Sequence, residues 1–193
     1  METNQSRPAF IFISISILLA ALSRLLPHPF NFTPIGAIAL FGGAGFSRRI
    51  LGFIIPLGAM LLSDVALEIT RGIGFHSTMW AVYLSFALIV CIGFTLKDKL
   101  RFSSLMLASL AASLLFFLIT NFAVWLSAAE YAKNISGLLA CYAAAIPFYN
   151  QDLFGSPLLN TVMGDLFFSA LLFGAYILAN FRFPKLARIK TKR

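Results

Sequence analysis

The chain has 193 residues, of which 60% are apolar and 11% charged, with a net charge of +8. A soluble domain of this length could not bury so much apolar surface, which excludes an ordinary water-soluble fold. The positive charge lies beside apolar runs rather than on a separate polar platform. It therefore reads as membrane topology and contact with lipid headgroups, not as a nucleic-acid surface.

A helix that crosses the hydrocarbon core needs about 20 apolar residues at a rise of about 1.5 Å each. On that basis six runs read as spans. The first covers residues 8–26. Ala21 and Ser23 give it a small-x-small site like that of a cleaved leader, but only Arg7 precedes it and the apolar run outlasts a usual leader core, so it reads as a retained span. A stiff aromatic loop comes next, Pro27-His28-Pro29-Phe30-Asn31-Phe32. It feeds a short second span at 33–46, where Thr33 is expected to cap and Pro34 to open the helix.

The third span, 50–69, carries Pro56 inside it, where a kink is expected. The fourth is 78–96 and the fifth 102–126, joined by the tight turn Lys97-Asp98-Lys99-Leu100-Arg101. Residues 137–148 form an apolar stretch too short to cross, ended by Pro147, and read as a re-entrant or interfacial helix. The sixth span is 158–179. The fold class is thus an all-α integral membrane bundle, one domain over residues 1–181 with a basic tail at 182–193.

The basic residues orient it. Of the 15 lysines and arginines, all but Arg24, Arg71 and Lys133 fall at the termini or in alternate loops that share one side. Positive residues in short loops stay cytoplasmic, so both termini are expected on the cytoplasmic side. Trp80 and Trp125 then sit at the outer ends of their spans, as an aromatic belt requires.

Polar groups inside spans are costly and mark cavities or buried pairs. Asp64, Asn121 and Asp165 lie at similar depth in the outer half, which points to a polar cavity facing outward. Glu68 is one turn beyond Asp64, so two carboxylates share a helix face and call for a cation, a proton, or Arg24 and Arg71 nearby. A pair between Glu68 and Arg71 is the structural alternative. His28 and Asn31 from the aromatic loop, and His76 from Gly74-Phe75-His76-Ser77, complete the candidate binding set of Arg24, His28, Asn31, Asp64, Glu68, His76, Asn121 and Asp165. For the two histidines a solvated role is the simpler reading.

Small residues four apart (Ala39 and Gly43, Ala59 and Ser63, then Ser104, Ala108 and Ala112) imply close helix packing, internal or with a partner. Cys91 and Cys141 lie at opposite depths and form no disulfide framework. With two histidines and no Cys/His cluster, no metal site or cofactor is expected. Enzyme signatures such as Gly-x-Ser-x-Gly or His-Glu-x-x-His are missing as well.

Five segments carry a resemblance: LPHPFNFTPIGAIALFGGAG at 26–45, FHSTM at 75–79, ITNFAVW at 119–125, LACYAAAIP at 139–147 and GDLF at 164–167. Together they resemble an uncharacterised bacterial membrane family labelled as transport proteins. That family is similar in size and span number to the substrate-binding S components of energy-coupling-factor vitamin transporters. The resemblance implies a subunit that captures a vitamin-like solute or a metal outside and docks on a membrane coupling subunit with ATPases. It also implies a small-residue docking face on the first helix, of which Ser16 and Ala20 supply part. A solitary carrier using Asp64 or Asp165 as a relay is a variant. The alternative is a non-transporting membrane scaffold, in which the buried carboxylates are structural pairs.

Overall fold

The computed structural model describes residues 5–97, 100–146 and 157–183, and these form seven α-helices. In chain order they are α1 (Arg7–Leu22), α2 (Ile35–Gly45), α3 (Arg49–Arg71), α4 (Met79–Thr95), α5 (Phe102–Ser127), α6 (Ile135–Ala144) and α7 (Pro157–Arg182). Helix α1 runs on into a 3-10 turn, Ser23–Leu25, and its start is capped by Ser6, whose Oγ accepts from the Ala9 N–H. Helices α1, α3, α5 and α7 are long and apolar enough to cross a membrane. α4 has 17 residues and α2 only 11, so α2 is roughly 16 Å long.

The shortest predicted span is the centre of the molecule. A helix apolar on all sides must be buried on all sides, and every residue of α2 from Gly36 to Gly45 is. Around it pack α1, α3, α4, α5 and α7. Its approach to α4 depends on glycine. A methyl group on Gly43 would overlap the carbonyl of Val90, and one on Gly93 would lie 2.5 Å from the carbonyl oxygen of Leu40. On the opposite side the ring of Pro56 occupies the space that a side chain on Gly42 would need. The Ala39 and Gly43 face therefore serves internal packing, where dispersion between close backbones replaces the hydrophobic drive that lipid does not provide. Phe41 adds edge contacts to Phe173 and Tyr176 of α7.

The loops at 23–34, 72–78 and 128–134 share one end of the bundle, the distal end. At the proximal end, Gln5 ties the last turn of α2 to the segment leading into α3. Its Nε2 donates to the Gly45 carbonyl, and its Oε1 accepts from the Ser47 N–H and hydroxyl. Lys97 Nζ donates to the Ser47 carbonyl at 2.9 Å.

Several local expectations are revised. Thr33 does not cap α2. Pro34 occupies the cap position with no side-chain hydrogen bond, and the helix opens at Ile35. Helix α3 carries Pro56 inside it and extends to Arg71, closed by Gly72, whose φ of 66° is the left-handed conformation that glycine adopts freely. Helix α7 continues to Arg182, past the predicted end of the sixth span. The apolar stretch at 137–148 is observed in part as helix α6, begun by Asn134, whose side chain accepts from Gly137 N–H at 2.9 Å. Pro147 and Phe148 of that stretch, Asp98 and Lys99 of the turn before α5, and the tail from residue 184 lie outside the described residues.

Candidate functional site

Arg24 is placed by the 3-10 turn after α1, which carries it over the distal half of α3. There Nη1 donates to Asp64 Oδ1 at 2.6 Å and to Ser63 Oγ at 2.5 Å, and it also meets Met60 Sδ at 3.3 Å. Tyr83 of α4 donates its hydroxyl to the other oxygen of Asp64 at 2.7 Å. Asp64 is completely buried, while the Arg24 side chain keeps 11% of its surface exposed. A buried carboxylate demands such a partner set, since an unpaired charge in this environment would cost several kcal/mol.

Asp165 of α7 has a different duty. Its Oδ1 accepts from the Gly36 N–H at 2.9 Å, with a further backbone bond from Ala37, and its Oδ2 accepts from Ser113 of α5 at 2.7 Å. The first N–H groups of a helix have no partner inside it. A carboxylate there satisfies them and complements the positive end of the helix dipole. Asp165 is the N-cap that α2 lacks locally. Gly36 permits the approach, because a methyl group there would lie 2.5 Å from both carboxylate oxygens.

Two adjoining chambers open beside these groups at the distal end. The inner one, of about 190 Å³, is walled by Arg24, Asn31, Thr33, His76, Thr161 and Asp165 among polar residues, with Met60, Met79 and Phe116 among apolar ones. The outer one, of about 430 Å³, is mostly apolar, with Phe30, Phe116, Phe117 and Val124 on its walls and Thr120 and Asn121 as polar points. Asn31, His76, Val82, Phe116 and Thr161 line both. Asn31 takes a left-handed φ of 60°, which asparagine tolerates, and this turns the loop into α2. The loop is held from α7 by Asn160, which donates to the Phe30 carbonyl at 2.8 Å.

Of the eight residues proposed from sequence, Arg24, Asn31, His76, Asn121 and Asp165 line a chamber. Asp64 lies behind Arg24 and lines neither. Glu68 is turned toward the loop after α3, where one carboxylate oxygen accepts from the N–H groups of Gly74 and Phe75 at 2.9 and 3.2 Å. It does not pair with Arg71, whose Nη2 donates instead to the Leu25 carbonyl at 2.6 Å. The two carboxylates one turn apart thus point to different partners. His28 folds back on its own loop, with its ring nitrogens on the carbonyls of Pro29 and Arg24. His76 Nδ1 pairs with the Thr78 hydroxyl at 2.9 Å.

Sequence reasoning missed Ser63, Tyr83, Ser113 and Thr161. All four are polar groups inside apolar helices, the same signal that singled out the carboxylates. Hydroxyls carry it weakly, because in a helix they can bond their own backbone.

These features define an all-helical protein of membrane-embedded type, with long apolar helices around a buried short one and a polar-to-apolar cleft at one end. The chain belongs to the family described as Family of unknown function (DUF6580), whose model matches residues 4–186. It matches no curated protein and no solved structure.

Proposed function

We propose that the protein is a small-solute binding and uptake subunit of the bacterial inner membrane, with six spans, cytoplasmic termini and the distal cleft facing outward. The observation that carries this reading is the pair of adjoining chambers. Taken together their volume falls in the range of small-molecule sites, and their walls combine apolar side chains with a few polar groups. The distribution of basic residues supports the orientation, since Arg48, Arg49 and Lys97 lie at the proximal end and Arg24 beside the cleft. In this reading α2 and α4 are the two short spans, α2 enclosed by its neighbours and α4 with one face, at Trp80, Leu84 and Leu88, turned outward. The partners are the lipid bilayer and, by resemblance to energy-coupling S components, a membrane coupling subunit with ATPases.

Thermal denaturation of the purified protein against a panel of small metabolites, vitamins and metal ions tests the binding step. A solute that binds only the folded state raises the melting temperature progressively with concentration. A hit that is lost in His76→Ala and Asn121→Leu supports capture in the cleft. A hit that neither substitution weakens would remove the cleft from the proposal.

One observation favours a second reading, a non-transporting membrane scaffold: both buried carboxylates already have partners within the bundle. A panel without any hit, with purified protein retained by a membrane partner, would favour it.

A further inference from the structure

The chemistry of the cleft walls narrows the solute class, and this step rests on the uptake reading above. All the side-chain hydrogen bonds of Arg24 among the described residues leave from Nη1. A guanidinium has five N–H donors in a planar fork, and among the described residues Nε and Nη2 make no hydrogen bond. Arg24 lines the inner chamber, and the unused edge of its fork is what it can offer a solute there. His76 Nε2 is likewise without a partner among the described residues, its other nitrogen being held by Thr78. Asn31 and Thr33 add further polar groups.

The negative groups present little to the chamber. Asp64 is sealed behind Arg24, and Asp165, 2% exposed, has both oxygens in use. The inner chamber is therefore rich in donors and suits an acceptor head. Arg24 is also the lysine or arginine on its wall, and Asp64 already balances it. With no net positive charge to spare, the wall offers an acceptor its N–H donors rather than charge, which favours a planar carboxylate over a phosphate dianion. Guanidinium forks bind carboxylates in two-point fashion.

The outer chamber suits the body of the same molecule. Phe30, Phe116 and Phe117 line it. Asn121 donates Nδ2 to the Phe117 carbonyl at 2.8 Å, which leaves its side-chain oxygen as an acceptor on that wall.

We propose that the cleft takes a monoanionic carboxylate solute with a flat apolar body, its head on the free edge of Arg24 and its body among Phe30, Phe116 and Phe117. A donor on the body, such as a ring N–H, meets Asn121.

The test uses the full chain in lipid nanodiscs and three probes with one ring system: indole-3-propionate, indole-3-propionamide and tryptamine. Equilibrium dialysis and thermal shift are read for each. The expected order is carboxylate at least tenfold tighter than amide, with no measurable binding of the amine. Two substitutions should move the carboxylate in opposite directions. Arg24→Gln abolishes its binding, whereas Asp64→Asn releases Arg24 from its counter-charge and tightens binding several-fold. If Arg24→Gln does not fold, Arg24→Lys keeps the charge without the fork and should still lose tenfold.

Amine binding that exceeds carboxylate binding and weakens in Asp64→Asn would overturn the carboxylate class and leave solute capture standing. Equal binding of all three, indifferent to both substitutions, would do the same. Small molecules released from the purified protein by heat and identified by mass spectrometry separate the remaining cases. A released aromatic or apolar carboxylate supports the proposal, and a released cation or neutral solute overturns it alone. If nothing is released and no probe binds, the proposal and the uptake reading fall together.

Discussion

Asp165 caps α2 through the N–H of Gly36, 129 residues earlier in the chain. This contact fixes the start of α2 against α7 and, through Ser113, against α5. The floor of the inner chamber is therefore set by a tertiary hydrogen bond rather than by a local capping residue. The fold gains a satisfied helix end deep in an apolar bundle, where water could not serve.

Loss of that cap should be felt globally. Asp165→Ala is expected to destabilise by about 1–3 kcal/mol, the cost of stranding buried helix-end donors. Ser113→Ala removes one hydrogen bond to the carboxylate and should cost less. Thermal denaturation of both in the same detergent gives the order, and a larger effect of Ser113→Ala would contradict the capping role.

Gly36 and Gly58 make a matched pair. Gly36→Ala drives a methyl group into the Asp165 carboxylate, whereas a methyl group on Gly58 of α3 meets nothing within 4 Å. The first substitution should lower the melting temperature by several degrees. The second should leave it unchanged or raise it, since alanine in a helix interior is worth up to about 1 kcal/mol over glycine.

The Arg24–Asp64 pair should behave as a unit. Arg24→Gln strands a fully buried carboxylate and is expected to cost about 3 kcal/mol or more. Asp64→Asn keeps a group that Tyr83 can still bond and should cost less. In the double variant the losses should fall short of their sum, a coupling measurable by a double-mutant cycle in chemical denaturation.

Glu68 belongs to the loop rather than to the cleft. Glu68→Gln should change global stability by no more than about 0.5 kcal/mol, as exposed contacts generally do. It should speed hydrogen exchange at the N–H groups of Gly74 and Phe75, which its carboxylate holds. Gly74→Ala is the severe change in this loop, because its methyl group would strike the Asp64 carbonyl.

The class of the protein was legible in the chain alone. Apolar content implied the membrane-type helical bundle, and the helix ends fell within a few residues of the expected runs, because run length and turn residues such as Gly72 and Asn134 act locally. Of the polar residues that stand out in so apolar a chain, Arg24, Asn31, His76, Asn121 and Asp165 line the chambers. What each polar group does emerged only from the packed bundle. Asp64 and Glu68 share a helix face, yet one is claimed by Arg24 and Tyr83 and the other by the N–H groups of a loop. The apolar run of α2 reads as a short span, and only packing shows it enclosed by five helices. A carboxylate must find its donors wherever the fold brings them. For Asp64 and Asp165 those donors come from α2, α4, α5 and the turn after α1, at distances along the chain that no local pattern encodes.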